Sequence, residues 1–160
     1  MIYLGIDPGL TGALAVIDGG ELLFHDCPTY KDGKKQRIDE AGASRLLAAA
    51  CSTGPCLVTV EKVHSMPGQG VASMFGFGYG FGVWMGILAA LQLPHQLVTP
   101  QAWKKEMFAG YAPDTDSRVI ANRLWPEQAE GWLSRKKDHG RADAVLMAEF
   151  GRRLHARRAA

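Results

Sequence analysis

Apolar runs alternate with turn-forming residues at the start of the chain. Residues 2–6 are an apolar run that ends at Asp7, and residues 13–17 are a second run that ends at an Asp followed by a Gly-Gly pair. Two short apolar runs separated by Pro-Gly punctuation predict a β-hairpin. Because the first run is nearly continuous, we expect its strand to be buried on both faces. Residues 21–27 predict a third strand, so the chain opens with an antiparallel meander.

The rest of the chain predicts helices that alternate with short strands. An alanine- and leucine-rich segment favours a helix, and the next apolar run, 56–60, ends on a second carboxylate, Glu61. A meander, a helix and a strand in this order predict an α/β domain whose fourth strand is parallel to the first. We expect 28–37 to be a mobile loop and 126–138 a polar connector. Helices are predicted over 38–51, 100–108, 114–124 and 139–154, and a strand over 95–98.

The longest apolar segment lies in the middle of the chain, where residues 63–103 include no Asp, Glu, Lys or Arg. Its length makes it a candidate for a transmembrane helix. Its alternating glycine and aromatic residues disfavour a helix in water, and a membrane span here would split the predicted sheet. We therefore expect a buried helix over 73–93 and no contact with a membrane. Gly78, Gly82 and Gly86 recur every four residues, which would let a second helix approach closely, either across a homodimer or within the domain.

Composition and charge narrow the class of protein. With 160 residues, 47% apolar and 21% charged, the chain is expected to be one globular domain over 1–160. Three cysteines without a CxxC pair predict neither a zinc site nor a disulfide framework, and the N-terminus has no targeting pattern, so a cytoplasmic protein is expected. The net charge of +2 does not by itself indicate a nucleic-acid partner, but basic clusters can attract phosphate locally. These clusters are Lys34, Lys35 and Arg37; Lys104 and Lys105; Arg135, Lys136 and Lys137; and Arg152, Arg153, Arg157 and Arg158.

Two carboxylates follow two apolar strands that would lie side by side. Asp7 and Glu61 would then meet at one edge of the sheet, while His139 and Asp143 share one face at the start of the last helix. A carboxylate cluster suits Mg²⁺, and two such ions ~3.5–4 Å apart can activate a water and stabilise the leaving oxygen of a phosphodiester. The histidine could ligate a metal or transfer a proton. Alternatively, Asp7 serves the Pro-Gly turn, and Asp138 and Asp143 are ordinary acidic residues of a first helical turn.

Three segments together resemble the RuvC-type Holliday junction resolvases of the ribonuclease-H-like superfamily. They are Gly-Ile-Asp-Pro-Gly at 5–9, Val-Glu at 60–61 and Asp-His-Gly-Arg-Ala-Asp-Ala at 138–144. The branch that includes the plastid junction resolvases is the most similar, because segments 76–80 and 136–142 also match it. The resemblance implies an α/β fold with a ribonuclease-H-like mixed sheet, in which an antiparallel three-strand meander is joined by parallel strands and flanked by helices.

The resemblance also implies an activity and a set of site residues. It implies a homodimeric endodeoxyribonuclease that uses Mg²⁺, with Mn²⁺ as a substitute, to nick four-way junction DNA symmetrically. In bacterial RuvC the last two acidic positions are three residues apart, but here Gly140 stands three before Asp143. His139 then takes the place of that acidic residue, and Asp138 is a spare candidate. The implied catalytic and metal-binding residues are Asp7, Glu61, His139 and Asp143.

Aromatic and basic residues near these segments are expected to contact DNA. In this interpretation residues 66–79 enter the junction, where aromatic rings can stack on unpaired bases, although core packing accounts equally well for any one ring. Basic side chains around the carboxylates would meet phosphate charge. The expected DNA-binding residues are Phe75, Phe77, Lys104, Lys105, Arg135, Lys136, Lys137 and Arg141.

Other functions are compatible with parts of the pattern. Residues 5–12 also resemble the phosphate loop of actin-like ATPases and sugar kinases, but those proteins need two duplicated domains and the chain has one copy of the motif. A ribonuclease-H-like nuclease that acts on structured RNA would share the fold and the site. A junction-binding protein without cleavage activity would be indicated by a missing carboxylate, and the expected carboxylates are all present.

Overall fold

A computed structural model of the chain describes residues 1–62, 70–129 and 131–159. These residues form strands, α-helices and a short 3-10 helix over Lys136–Asp138. The strands are β1 (Ile2–Ile6), β2 (Ala13–Asp18), β3 (Glu21–Asp26), β4 (Thr29–Asp32), β5 (Lys35–Ile38), β6 (Cys56–Glu61) and β7 (His95–Val98). The helices are α1 (Glu40–Ala50), α2 (Val71–Ala90), α3 (Pro100–Met107), α4 (Ser117–Leu124), α5 (Pro126–Ala129) and α6 (His139–Ala159).

The central sheet is mixed, as the sequence predicts. Its strand order is β3-β2-β1-β6-β7. Strands β1 to β3 form the antiparallel meander, and β6 and β7 continue the sheet in parallel with β1. Strand β1 is central, and its side chains Leu4 and Ile6 are fully buried. The prediction of an opening strand covered on both faces is confirmed.

Helices cover both faces of this sheet. One core lies between the sheet and α3, α4 and α6, and a second core lies between the sheet and α1 and α2. Helix α6 crosses β1 at Gly5, where an added Cβ atom would lie 2.0 Å from the carbonyl oxygen of Ala144. A side chain at this position would collide with the backbone of α6, so glycine is what allows the helix to lie directly on the strand.

The segment predicted to be a mobile loop, 28–37, is instead largely a hairpin. Strands β4 and β5 pair as a separate two-stranded sheet, and their turn includes Gly33 with a φ of 59°. A side-chain hydrogen bond of 2.7 Å from Gln36 to Thr29 joins the two strands. The prediction was wrong because this hairpin is held by main-chain pairing and polar contacts, which leave no apolar pattern in the sequence.

Two helix boundaries and one connector also differ from the predictions. Helix α4 begins at Ser117 because the side chain of Asp116 accepts a hydrogen bond of 2.9 Å from the N–H of Arg118, so the predicted start at 114 was early. Helix α6 extends to Ala159, beyond the predicted end. The polar connector over 126–138 includes α5 and the 3-10 helix.

Helix α2 is the largest departure from the predictions. It forms close to the predicted residues, but most of it is exposed, and its buried residues are Gly80, Trp84 and Leu88. These three residues recur every four positions and form one stripe along the helix. The prediction of a buried helix was wrong because an absence of charge shows that a segment is apolar but not how many of its sides the protein covers. Residues 66–69 of the segment expected to enter a junction lie outside the described residues.

By length and composition, α2 could also cross a membrane, and 17% of its most apolar window is buried. One such helix is weak evidence for a membrane span, because helices of soluble proteins meet the same criteria. The strands on either side of it in the sequence, β6 and β7, are neighbours in one sheet. The stripe that includes Trp84 packs into the core of that sheet, so the half of α2 from Gly80 to Leu88 is attached to the domain.

Candidate active site

Asp7 and Glu61 lie next to each other at one edge of the sheet. Parallel pairing sets Ile6 of β1 opposite Val60 of β6, so the residue after each of these, Asp7 and Glu61, stands at the carboxyl end of two adjacent strands. In an open α/β sheet, this edge is where ligands bind. The predicted juxtaposition of the two carboxylates is therefore present in the fold.

A tight turn holds Asp7 in place. Its backbone N–H donates to the carbonyl oxygen of Ala13 at 3.0 Å, and the N–H of Gly12 donates to the carbonyl oxygen of Gly9 at 2.9 Å. The N–H of Gly9 also donates to Oδ1 of Asp7 at 3.3 Å. The turn therefore occupies Oδ1 of Asp7, in agreement with the alternative in which this residue serves the Pro-Gly turn. The other carboxylate oxygen, Oδ2, faces a different neighbour.

That neighbour is the first turn of α6. A Cβ atom at Gly140 would lie 3.1 Å from Oδ2 of Asp7 and 2.5 Å from the carbonyl oxygen of Thr11. The close approach brings the start of α6, with His139 and Asp143, against the Asp7 turn. Both side chains line an open cleft of about 530 Å³ between α6 and the segment from α3 to α4.

The charges of these four residues act on one another. Burial, and to a smaller extent the negative charges of Glu61 and Asp143, raise the pKa of Asp7 to about 6, although the Gly9 hydrogen bond and His139 act to lower it. Burial also raises the pKa of Asp143, against a hydrogen bond from Ser117 and the positive charge of Lys104. A cation between such carboxylates would favour their charged forms.

The donor set fits a hard divalent cation, although the side chains are not closed around one. Oxygen ligands from three carboxylates with one imidazole suit Mg²⁺ or Mn²⁺. Within the described residues, no three His, Cys, Asp or Glu side chains are close enough together to hold one ion. The assignment of Asp7, Glu61, His139 and Asp143 as metal ligands stays a prediction.

Two residues that the sequence did not single out contact this set. The indole N–H of Trp103 donates to Oε1 of Glu61 at 3.0 Å, and Ser117 hydrogen-bonds to Asp143. No motif in the sequence marks either residue. Trp103 can be placed near Glu61 only when the pairing of β6 with β7 is known, because that pairing sets where α3 begins.

The predicted basic residues fall into two groups. Lys104, Lys105, Lys136 and Lys137 are exposed. Lys104 lines the cleft with His139 and Asp143, and its Nζ lies 5.2 Å from the centroid of the Trp103 ring. Their exposure leaves these ammonium groups able to reach a phosphate.

Arg135 and Arg141 are already paired with carboxylates. Arg141 makes bonds of 2.5 and 2.6 Å to Asp26, and Arg135 makes a bond of 2.9 Å to Asp138. Both arginines, with Lys137, line a second cavity of about 290 Å³ on the side of α6 next to the Asp7 turn. Any phosphate bound there would compete with Asp26 and Asp138.

Asp138, the spare ligand candidate, is buried among arginines. It is 3% exposed, accepts a hydrogen bond from the backbone N–H of Arg135 at 2.9 Å, and lies 3.8 Å from Arg141. The side-chain hydrogen bond from Arg135 is the main cause that lowers the pKa of Asp138, and the backbone bond adds to it. These contacts give Asp138 a role in shaping the start of α6.

The two aromatic candidates are exposed on α2 near the Asp7 turn. Phe75 is 76% exposed and Phe77 is 46% exposed, so neither is a core residue. A Cβ atom at Gly9 would lie 3.9 Å from Cε2 of Phe77, and one at Gly80 would lie 2.8 Å from the carbonyl oxygen of Pro8. The part of α2 around Phe77 and Gly80 therefore lies beside the Asp7 turn.

Comparison with solved structures identifies the class of fold. The chain is similar to Thermus thermophilus RuvC, with a TM-score of 0.59, 18% identity, and coverage of 99% of this chain and 97% of that one. It is similar to T. thermophilus RuvC in complex with a Holliday junction substrate, with a TM-score of 0.63, 16% identity and coverage of 99% and 96%. It is also similar to the yeast mitochondrial Holliday junction resolvase Ydc2, with a TM-score of 0.58, 17% identity, and coverage of 96% of this chain and 78% of that one. The chain has the RuvC-type, ribonuclease-H-like fold.

A sequence relative agrees with this class. The chain is 32% identical over 128 residues to the chloroplastic Holliday junction resolvase MOC1 of Chlamydomonas reinhardtii. The match covers 73% of this chain and 14% of that protein, so the chain spans only a small part of the length of this relative. No protein-family model matches the chain. The resemblance to the plastid branch of the RuvC-type resolvases therefore has a counterpart among curated proteins.

Proposed function

We propose that the chain is a metal-dependent endodeoxyribonuclease that resolves four-way DNA junctions by paired, symmetric nicks. The observation that carries this proposal is the meeting of Asp7 and Glu61 at adjacent strand ends, with the first turn of α6 packed against Asp7. Similarity in sequence to a protein named as a Holliday junction resolvase supports four-way junction DNA as the substrate.

In this proposal Asp7, Glu61, His139 and Asp143 hold a divalent cation, Mg²⁺ with Mn²⁺ as a substitute. When bound, the cation supplies charge neutralisation at the scissile phosphate and lowers the pKa of an attacking water. The protein supplies a buried, rigid edge of the sheet that fixes the two strand-end carboxylates. The open cleft that His139 and Asp143 line would give a DNA strand access to these two side chains.

The exposed lysines around the site give the DNA backbone a cationic path. Lys104 and Lys105 lie on α3, and Lys136 and Lys137 lie just before α6, so the two pairs approach the carboxylates from different elements. Phosphate contacts of this kind set register and not sequence preference. Exposed Phe75 and Phe77 offer rings on which unpaired bases at the crossover can stack. Arg135 and Arg141 line the second cavity and would contact the DNA there.

The exposed face of α2 supports a homodimer. Gly78, Gly82 and Gly86 lie on the side of the helix opposite the buried stripe that includes Trp84, and a Cβ atom at any of the three glycines would meet nothing within 4 Å. The helix has no charged residue, and large exposed apolar faces mark interaction sites. A second copy packing along this ridge would pair two active sites, as a two-fold symmetric junction requires.

Sedimentation analysis tests the homodimer. The native chain is expected to be a dimer, and Gly82→Leu is expected to shift it towards monomer because the leucine side chain prevents close approach of two helices. Gly54→Leu is a suitable control, because the surroundings of Gly54 are equally open and it lies away from α2. A native monomer, or a Gly82→Leu variant as dimeric as the control, would contradict the proposed interface.

The cleavage assay uses a labelled mobile four-way junction with Mg²⁺. Paired nicks at symmetric positions are expected from the native chain and not from Asp7→Asn. Structured RNA and linear duplex DNA are run in parallel, because preferential cutting of RNA would favour the ribonuclease alternative. Tight junction binding without any nick would favour the binding-protein alternative, and cleavage that survives Asp7→Asn would exclude the proposed site.

A further set of variants tests whether His139 or Asp138 is the fourth metal ligand, beside Asp7, Glu61 and Asp143. His139→Ala and Asp143→Asn are expected to abolish cleavage, while Asp138→Asn is expected to retain most of it, because Asp138 is paired with Arg135 and Arg141. The variants are compared at a temperature at which circular dichroism shows each to be folded. The reverse pattern would assign the fourth position to Asp138.

The location of the protein in the cell is also a proposal. Cys27, Cys51 and Cys56 are all free thiols, which supports a reducing compartment. Two of the similar proteins are named as chloroplastic and mitochondrial, so a cytoplasmic location is not implied by similarity and stays a prediction. The attachment of α2 to the sheet core supports a protein that does not span a membrane.

A further inference from the structure

Glu61 has a hydrogen-bond partner that no sequence motif predicts. The indole N–H of Trp103 donates a hydrogen bond of 3.0 Å to Oε1 of Glu61. Trp103 is fully buried, whereas Glu61 is partly exposed. A buried indole N–H requires an acceptor, and a hydrogen bond to an ionised acceptor is stronger than one between neutral groups. The carboxylate therefore has one oxygen fixed from the side of the protein core.

The position of Trp103 follows from strand register. Parallel pairing sets Glu61 opposite Val98, the last residue of β7, and the N–H of Lys62 donates to the carbonyl oxygen of Val98 at 2.7 Å. Thr99 then caps α3 by accepting a hydrogen bond of 3.2 Å from the N–H of Ala102. Helix α3 starts two residues beyond the partner of Glu61, so its first turn directs Trp103 back to the end of β6.

The rest of the indole is held firmly. Trp103 belongs to the core between the sheet and α3, α4 and α6, and its ring is in contact range of Phe108, with centroids 6.1 Å apart. A side chain packed in this way has few alternative rotamers. The N–H group therefore acts as a fixed donor, and not as one of several transient partners on the surface.

We infer that Trp103 is a positioning residue that holds the carboxylate of Glu61 in the orientation in which it binds the divalent cation. This inference rests on the proposed function, because it takes Glu61 to be a metal ligand. Asp7 and Glu61 repel each other when both are charged, and a fixed donor counters the tendency of Glu61 to turn away. Partners of this kind contribute about 10–100-fold to metal affinity in other sites.

Core packing alone would require an aromatic ring at position 103 but no N–H group. The test therefore removes the N–H group and keeps the ring. Incorporation of 3-benzothienylalanine at position 103 replaces the donor with sulfur at nearly the same shape, and Trp103→Phe is a second, genetically simple variant. Trp125→Phe is the matched control, because Trp125 packs against the same core and is not part of the candidate site.

The measurement is Mn²⁺ binding to the full chain without DNA, by electron paramagnetic resonance and calorimetry, with thermal unfolding followed in parallel. The benzothienyl variant is expected to fold like the native chain and to bind Mn²⁺ about 10–100-fold more weakly, and Trp125→Phe is expected to bind like the native chain. The Mg²⁺ concentration for half-maximal junction cleavage is expected to rise by a similar factor, with the rate recovering at saturating Mg²⁺.

Native affinity in the benzothienyl variant would overturn the role of Trp103 while leaving the proposed function intact. Equal loss of affinity in Trp125→Phe would also overturn it, because the effect would then come from the core in general. If the native chain itself binds no Mn²⁺ and makes no nicks, and Asp7→Asn behaves identically, the proposed function fails and this inference fails with it.

Discussion

The two longest helices, α2 and α6, reverse the usual relation between composition and burial. Helix α2 consists of twenty apolar or small residues and has no charge, yet no more than three of these twenty residues are buried. Helix α6 begins with a histidine and ends in a run of arginines, yet nearly every residue from 142 to 151 is buried. Apolar composition alone therefore does not tell which helix occupies the centre of the fold.

The difference comes from where the chain places each helix. Helix α6 crosses the middle of the sheet at Gly5 and is covered on its far side by α3 and α4, so that even the carboxylate of Glu149 lies inside, paired with arginines. Helix α2 packs on the sheet along one stripe and has no described element over its opposite face. A homodimer would remove this contrast by covering α2 with a second copy.

The largest effect is expected from Gly5→Ala. The new Cβ atom would lie 2.0 Å from the carbonyl oxygen of Ala144 and 2.5 Å from the backbone nitrogen of Ala148, and neither backbone atom can rotate away. We expect a loss of about 4 kcal/mol or more in the free energy of unfolding. Urea unfolding at a fixed protein concentration measures it. Gly54→Ala, with open space around the new atom, should cost little, and equal losses in both variants would contradict the close crossing.

A smaller loss is expected from truncation within the buried part of α6. Leu146 is fully buried, and Leu146→Ala removes apolar contacts and leaves a cavity, at a cost of about 3 kcal/mol. The same urea experiment measures this variant. If Leu146→Ala proved neutral, α6 would not be the core helix that its burial indicates.

The ion pairs of Glu149 are expected to contribute less. Burial alone would raise the pKa of Glu149, but hydrogen bonds from Arg152 and Arg153 outweigh it and hold the pKa below its usual value of 4.5. Glu149→Gln should cost about 1–2 kcal/mol near pH 7, less than a fully buried pair because both arginines are partly exposed.

The pH dependence of this contribution has a definite sign. Because the pKa of Glu149 is lower in the folded than in the unfolded chain, its ionised form stabilises the fold above pH 4.5, and the contribution is lost as the pH falls through the folded value. The difference in stability between the native chain and Glu149→Gln should therefore be constant near neutrality and shrink below pH 4.5. A difference that grows on acidification would reverse this assignment.

The smallest effect on stability is expected on α2. Phe75 is 76% exposed, so Phe75→Ala should change the free energy of unfolding by less than about 0.5 kcal/mol. If the ring stacks on a base, junction affinity should nevertheless fall about tenfold, measured by fluorescence anisotropy at constant salt. A clear loss of stability with unchanged affinity would instead assign Phe75 to packing.

The strand-end carboxylates could be predicted because they depend on local patterns. Apolar runs that end at Asp7 and Glu61, with the intervening helix, indicate two parallel neighbours whose ends meet, and the fold has this arrangement. The hairpin over residues 29–38 could not be predicted, because polar strands that pair through their backbones leave no apolar signal. The contact between Trp103 and Glu61 was also beyond prediction, since it depends on the register of β6 with β7 and on the cap of α3.

The sequence by itself determined the mixed sheet and the order of its elements, because hydrophobic periodicity and turn residues act over short stretches of chain. It also supplied the candidates for the site residues, through the positions of Asp7 and Glu61 after two strands and through a family resemblance. The tertiary structure decided which helix is central, which arginines are already paired and which side chain holds Glu61. These are consequences of close approaches between distant segments, such as Gly5 with Ala144 and Gly140 with Asp7. Close approaches depend on atoms brought together by the whole fold, and no local pattern of residues encodes them.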